Sequence, residues 1–383
     1  MNRHINIQCV YLSNQFSNEM NRQIRFLFLI FSGWLFNSCK TEFQTVAPYK
    51  EMVCVYGLIE QQQNINYIRI NRVFLTDGNA YDVALNNDSV NFKQGELTVT
   101  LEKYRDGVLK ASFPLSDTVL TTLPSGDFNS SQRLWVCYNQ LASFGSGGTD
   151  EGTTISYKLK IHNNITGKEF TGETKMVQDA MVDIAAGGPL SGTTIGLTNP
   201  NFPVKLAMFN PQYGKLDNMI LRFFYQEFPN VNDTTVYSDK FVDWNLGNQV
   251  VENVNLTNSS VKYQFMGEDF YRFLTTVIHP DAGIWARKVR YIQVIFTSCG
   301  EEFQLFTDVN TPSNTIVQEK PIYSNISDGV GVFSSRSRYF KKLNLTPASI
   351  DKLAGTIAYP NSPTCALQFL DSQPNGQKGP GCQ

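Results

Sequence analysis

The chain lacks the residues on which much of enzyme and nucleic-acid chemistry depends. Only 3 of its 383 residues are histidine, so histidine-based catalysis and histidine-rich metal sites have few side chains to draw on. Its 32 basic residues do not outnumber its 34 acidic ones, and no basic excess is available to neutralise nucleic-acid phosphates. We therefore expect no nucleic-acid partner, no metal and no cofactor, and we expect that the protein is not an enzyme.

Cysteine is also scarce, and its spacing excludes the common cysteine motifs. No two of the cysteines that follow Cys39 are separated by only two residues, so zinc-knuckle and redox spacings are absent. Cys365 and Cys382 flank a segment rich in proline and glycine, and a disulfide bond between them would close a short loop. Isolated, unpaired thiols are the alternative at these positions.

A long hydrophobic run is likewise missing, but a short one near the N-terminus is informative. Residues 26–36 are mostly apolar, and this run of about 11 residues falls short of the roughly 20 that a membrane-spanning helix needs. Arg22 and Arg25 precede the run, and Ser38 and Cys39 follow it, an arrangement typical of a signal peptide. A buried strand or helix that happens to precede a cysteine is the alternative.

The end of this segment resembles the lipobox of bacterial lipoproteins, whose cysteine is lipidated after cleavage, although Phe36 stands where leucine is usual. The resemblance implies a lipoprotein signal peptide over residues 20–38, lipidation of Cys39 and a lipid-anchored tether over residues 39–50. Residues 1–19 show no hydrophobic pattern, and we interpret them as an over-extended start. We expect an anchored protein, because no later segment is apolar and long enough to span a membrane.

Residues 51–184 show the pattern of a β-sandwich. Residues 97–101 alternate apolar and polar side chains, and Asp106 and Gly107 supply a turn into the next β-rich run. Six or more short strands without a helical period predict an antiparallel, immunoglobulin-like sandwich. Glycine and proline cluster in residues 185–202, where the periodicity stops, and we interpret this segment as a linker.

Residues 203–356 predict a second β-rich domain. An apolar stripe with helical spacing places a helix at residues 267–279. Residues 288–298 and 302–307 are interpreted as the two strands of a hairpin. Residues 357–383 form a C-terminal tail.

A last short helix is predicted to begin after Thr346 and to end at Gly355, because threonine and glycine favour the two ends of a helix. The predicted fold class is therefore all-β with minor α content. It consists of two antiparallel immunoglobulin-like β-sandwich domains, the second of which carries a helix.

Residues suited to catalysis have structural explanations in this sequence. His162 ends a predicted strand and His279 precedes a proline at a helix end, positions that are typical of surface or capping residues. The acid pair Glu301 and Glu302 could serve glycoside hydrolysis, which needs two facing carboxylates, but it flanks a predicted turn. We identify no catalytic residue.

Tryptophans give the best indication of a binding site, because flat aromatic faces beside polar groups commonly hold sugars and peptides. Trp135 lies in mid-strand and is expected in the core, and Trp244 alternates as a strand residue. Trp285 lies in the connection after the predicted helix, near Arg287. We predict that Trp285 is exposed and that Trp285 and Arg287 contact a ligand.

Several short sequences together resemble one group of bacterial proteins. They are the lipobox, residues 55–59, the helix around Phe270 and phrases within residues 310–336. In these the chain resembles uncharacterised outer-membrane lipoproteins of Bacteroidota, which carry domains of unknown function and are often encoded near TonB-dependent transporters. The resemblance spans most of the chain after the signal peptide and rests on short phrases, not on a catalytic motif.

The resemblance and the signal peptide together predict a lipid-anchored outer-membrane binding protein of unknown ligand. It would be accessory to a TonB-dependent transporter or a surface assembly, with the membrane and an outer-membrane β-barrel as its expected partners. Whether it faces the cell surface or the periplasm stays open. A cell-surface adhesin or structural protein of the cell envelope is one alternative, and a glycan-acting enzyme is another.

Overall fold

The computed structural model describes residues 50–74, 79–85, 87–120, 132–231, 233–251, 259–311 and 322–379, and strands dominate it. The strands are β1 (Val53–Glu60), β2 (Asn66–Arg72), β3 (Leu97–Arg105), β4 (Val108–Pro114), β5 (Ser116–Leu120), β6 (Gln132–Cys137), β7 (Ile155–Asn163), β8 (Glu169–Lys175), β9 (Met181–Val182), β10 (Thr194–Ile195), β11 (Val204–Phe209), β12 (Leu216–Phe228), β13 (Ser238–Val250), β14 (Ser260–Phe265), β15 (Ala286–Cys299) and β16 (Gly329–Leu345). The helices are α1 (Ala80–Ala84), α2 (Asn87–Val90), α3 (Gly267–Val277), α4 (Glu301–Asn310) and α5 (Pro347–Ala354). The predicted all-β fold class is confirmed.

These strands form three sheets. The largest has nine strands in the order β13-β12-β15-β16-β1-β2-β6-β5, with β10 paired to β16 beside this path. A four-stranded sheet has the order β4-β3-β7-β8, and a three-stranded sheet has the order β14-β11-β9. Where β3 turns into β4, Asp106 and Gly107 both have positive φ, the backbone that a two-residue hairpin turn requires.

The largest sheet joins the two halves of the chain, which corrects the expected division into two separate sandwiches. Strand β16 pairs in parallel with β1 over eight residues, from Val53 opposite Gly329 to Glu60 opposite Arg336. Its other end pairs with β15. Gly331 has a φ of 102° and lies so close to β1 that a Cβ there would overlap the Val55 carbonyl oxygen. Residues 185–202 therefore do not separate two independent sheets.

Two hydrophobic cores lie against this shared sheet. Each core draws mainly on one half of the sequence, whereas the strands of the sheet come from both halves. One core draws on residues 53–176 together with Ile326 and Phe333. The other is built from residues 180–369. Trp135 is buried in the first core, and Trp244 packs against the second. Both tryptophans lie where the sequence predicts.

Two predicted helices are confirmed, and one predicted strand is wrong. Helix α3 forms within the predicted range, and the Asp269 carboxylate accepts a hydrogen bond from the Met266 backbone N–H at 3.1 Å. Helix α5 begins after Thr346 and ends at Gly355. The predicted strand over residues 302–307 is instead part of α4. Glu301 and Glu302 lie in the first turn of α4, where the helix dipole favours negative charge.

Candidate ligand-binding cleft

A cleft of about 470 Å³ lies where β12 ends and β15 begins. We name it the Trp285 cleft, and its lining includes Phe228, Tyr237, Trp285, Lys288, Arg290 and Asp371. Its volume falls within the range of about 300–1,000 Å³ that is typical of small-molecule sites. Trp285, which the sequence predicts as a ligand contact, lines this cleft.

The end of β12 fixes the position of Trp285. The Trp285 backbone N–H donates to the Phe228 carbonyl oxygen at 2.8 Å, and a turn closed by Ile284 N–H and the Asp281 carbonyl oxygen precedes it. The indole is half-buried, whereas the sequence predicted it to be exposed. The Lys378 ammonium lies 5.7 Å from the centroid of its ring, within the range of a cation–π contact.

Tyr237 supplies the more open aromatic face of the cleft. Its ring centroid lies 5.8 Å from that of Phe228, with an angle of 49° between the planes. Phe228 is buried, whereas Tyr237 is 48% exposed. A buried ring thus supports an exposed one, which holds the exposed ring in place at little entropic cost when a ligand packs on it.

The C-terminal tail forms the opposite wall of the cleft. Leu370 N–H donates to the Arg287 carbonyl oxygen, and Arg287 N–H donates to the Gln368 carbonyl oxygen, both at 2.8 Å. These bonds attach the tail to the start of β15. Asp371 Oδ1 then accepts hydrogen bonds from the backbone N–H groups of Gln373 at 3.1 Å and Gln377 at 2.8 Å. The tail loop is therefore ordered by its own carboxylate.

Arg287 has a structural position, which corrects its predicted role as a ligand contact. Its side chain is 3% exposed, and its Nε donates to Glu227 Oε1 at 2.9 Å. Its Nη1 donates to the Leu367 carbonyl oxygen at 2.9 Å, and its Nη2 donates to the His279 carbonyl oxygen at 3.1 Å. The guanidinium thus connects β12, the segment that follows α3 and the C-terminal tail. It does not line the cleft.

Two exposed cations beside Arg287 line the cleft in its place. Lys288 and Arg290 are both exposed, and within the described part of the chain neither has a carboxylate partner. Arg290 lies at a β-bulge, because Tyr225 pairs with Val289 and Phe224 pairs with Tyr291, which leaves Arg290 without a residue opposite. A bulge redirects a side chain and is frequent beside functional sites. Nothing in the sequence pattern assigns these two residues to a site.

A second cleft, also of about 470 Å³, contains Glu302 and Glu173. Glu302 Oε2 accepts hydrogen bonds from Ser334 Oγ at 2.9 Å and Thr174 Oγ1 at 3.0 Å, and burial raises the pKa of the Glu302 carboxyl. Glu173 forms an ion pair with Lys158 at 2.7 Å. Glu302 therefore ties α4 to strands β8 and β16, which accounts for its burial.

A third cleft, of about 340 Å³, lies between α4 and strands β1 and β2. Its apolar side consists of Tyr56 and Phe306, whose ring centroids are 6.0 Å apart. Glu60, which is 1% exposed, lies at its edge and accepts hydrogen bonds from Arg336 and Arg338 at 2.9 Å. This buried charge cluster stabilises the junction between β1 and β16.

The cysteines divide into free and bonded groups. Cys54, Cys137 and Cys299 are free thiols. Cys365 is disulfide-bonded, and Cys382, its expected partner, lies outside the described residues, as does the predicted lipidation site Cys39. The proposed signal peptide over residues 20–38 also lies outside them.

Comparisons with known proteins do not identify a family for this chain. No protein-family model matches the chain, and no curated protein is significantly similar to it.

Among the residues that the structure describes, no helix is long and apolar enough to cross a membrane. Within the same residues, no group of three or more histidine, cysteine, aspartate or glutamate side chains is arranged to hold a metal ion.

Proposed function

We propose that this protein is a lipid-anchored outer-membrane binding protein that holds its ligand in the Trp285 cleft. The composition of that cleft is the observation that supports the proposal most. Exposed aromatic and cationic side chains surround a ligand-sized volume. Asp371, the carboxylate of the lining, already accepts two backbone hydrogen bonds. The cleft is thus suited to holding a molecule, and among the described residues of its lining the one carboxylate is engaged by the tail loop.

The anchor in this proposal is a lipid on Cys39. The cationic residues before the apolar run and the small residue before the cysteine support it. The tether over residues 39–50 would connect the lipid to β1, which begins at Val53. In this proposal the protein is accessory to a TonB-dependent transporter or a surface assembly.

Replacement of the lipidated cysteine tests the anchor. Cys39→Ala should move the protein from the membrane fraction to the soluble fraction of the cell envelope. The matched control is Cys54→Ala, which removes a free thiol from β1 and should leave the protein in the membrane fraction. Retention of Cys39→Ala in the membrane would contradict the anchor.

Affinity purification from gently solubilised outer membranes tests the accessory role. Mass spectrometry should identify a β-barrel transporter that co-purifies in stoichiometric amount with the tagged protein. Recovery of the tagged protein alone would contradict this role and would favour an adhesin or a structural protein of the envelope.

A further inference from the structure

We propose that the ligand of the Trp285 cleft is an acidic saccharide, one that carries carboxylate or sulfate groups. This inference rests on the proposed binding function and names the chemical class of the ligand. Three features of the cleft carry it, namely unpaired cations, a supported aromatic face and hydrogen-bonding amides.

The first feature is local positive charge on a protein that is slightly acidic overall. Lys288 and Arg290 face the cleft without a carboxylate partner among the described residues, and Lys378 lies over Trp285. The formal charge of the whole chain is −2, so these cations are a local concentration. Some cations elsewhere are neutralised, as where Arg222 pairs with Asp243 at 2.7 Å. The cleft therefore attracts an anionic group.

Lys288 and Arg290 lie two residues apart in β15, and Arg290 stands at the bulge. In a regular strand, side chains two residues apart point to the same face of the sheet. Arg290 and Lys288 thus reach the same cleft. An arginine fork binds carboxylate or sulfate oxygens through two parallel hydrogen bonds, and the lysine beside it adds a second, more mobile charge.

The aromatic faces favour a saccharide over an isolated anion. Tyr237 rests on the buried Phe228 and exposes 48% of its own surface to the cleft. The apolar C–H face of a sugar ring packs on such a surface, because both partners then bury apolar area at small entropic cost. Trp285 is less accessible, since Lys378 covers part of it. We therefore assign the main stacking contact to Tyr237.

Polar side chains complete the site and suit sugar hydroxyls. Gln373 and Asn375 are exposed on the tail loop, and Thr234 lies on the opposite side of the cleft. An amide offers both donors and acceptors, which matches the mixed donor and acceptor character of a hydroxyl.

The test measures binding of defined oligosaccharides to the full-length, detergent-solubilised protein by titration calorimetry. Oligogalacturonate and chondroitin sulfate oligosaccharides supply the carboxylate and sulfate arms. Galactose oligomers supply a neutral comparison, and polyglutamate supplies an acidic peptide. At low salt, at least one acidic saccharide should bind, and raising the salt concentration should weaken it.

Variants locate the binding. The double variant Lys288→Gln/Arg290→Gln should bind the acidic saccharide about tenfold more weakly and with a smaller salt dependence, because each exposed charge pair contributes up to about 1 kcal/mol. Tyr237→Ala should weaken binding at all salt concentrations. The control Lys110→Gln/Lys205→Gln removes two exposed cations far from the cleft lining and should bind as the wild type does.

Each other outcome would overturn the inference. Equal binding of galactose oligomers would exclude the acidic class while leaving a binding function for the cleft intact. Preferential binding of polyglutamate would exclude a saccharide. An equal loss in the control variant, or no binding of any probe by folded protein, would exclude this ligand class at this cleft. The membrane and co-purification experiments test the proposed function separately.

Discussion

The stability of the protein should fall as the pH rises from 5 to 8, because Asp217 is buried in the core. Its side chain is fully buried in β12, opposite Ser298 of β15. Burial raises the pKa of the Asp217 carboxyl from 3.8 to about 7, and the nearby Ser298 hydroxyl offsets only part of this effect. The folded protein therefore keeps a proton on Asp217 at pH values where the unfolded chain has lost it.

The sign and size of the effect follow from this difference in proton binding. Between pH 3.8 and about 7, the folded state binds more protons than the unfolded state, so the free energy of unfolding decreases as the pH rises. Since one unit of pKa difference is worth about 1.4 kcal/mol, the total is about 4 kcal/mol. About 2.5 kcal/mol of it is lost between pH 5 and pH 8.

Urea unfolding of the wild type and of Asp217→Asn at pH 5 and pH 8, followed by tryptophan fluorescence, measures this loss. The amide cannot titrate, so the variant should lose about 2.5 kcal/mol less than the wild type over this interval. Other titrating groups are common to both proteins and cancel in the comparison. The control Asp82→Asn removes an exposed carboxylate and should behave as the wild type does. An Asp217→Asn variant with the wild-type pH dependence would refute the reasoning.

Three further predictions concern the framework of the molecule. Arg287→Met should lower the free energy of unfolding by about 3–5 kcal/mol, because it leaves a buried carboxylate without its partner; an unchanged urea midpoint would contradict its structural role. Gly331→Ala should destabilise the protein by about 1–3 kcal/mol more than Gly107→Ala. Both glycines have positive φ, but only a Cβ at Gly331 would meet the facing strand, so equal losses would argue against the parallel pairing. Peptide mapping without reduction should link Cys365 to Cys382, whereas a free thiol at Cys382 would exclude this pairing.

Local signals account for the parts of the fold that the sequence predicts. The turn at Asp106 and Gly107, helix α3 and helix α5 each depend on neighbouring residues: a turn backbone, an apolar stripe and a pair of helix ends. The strand predicted over residues 302–307 shows the limit of this reasoning. Phe303 and Leu305 alternate as in a strand, but Phe303 and Phe306 also have helical spacing, and packing of α4 on the sheet decides between them.

The sequence pattern could not predict which strands, distant in the chain, pair with each other. Strands β1 and β16 pair in parallel although Val53 and Gly329, which lie opposite each other, are far apart in the chain. Nothing in the local alternation of either strand specifies its partner, because alternation identifies the buried face and not the neighbour along the sheet. The glycines shortly before Phe333 are the sequence feature that agrees with this pairing, because they permit the close approach of β16 to β1.

The site was predicted in part, for similar reasons. Trp285 lines the cleft but is half-buried, not exposed as predicted, and its contact with a ligand stays a prediction. Arg287 was wrongly grouped with it, because proximity in the chain does not show which of two neighbouring cations is buried. Lys288 and Arg290 line the cleft beside segments that are distant in the chain, such as the end of β12 and the C-terminal tail, and strand alternation does not reveal these neighbours. Tyr237 comes from a distant segment and could not be assigned to the site from the sequence.

The central claim is that the Trp285 cleft is the binding surface of the protein. The most direct test repeats the affinity purification from gently solubilised outer membranes with the wild type and with the double variant Tyr237→Ala/Trp285→Ala, after circular dichroism has shown that the variant is folded. We predict that mass spectrometry will find a bound chain or glycan with the wild type and lose it with the variant. Equal recovery from both proteins would contradict the claim.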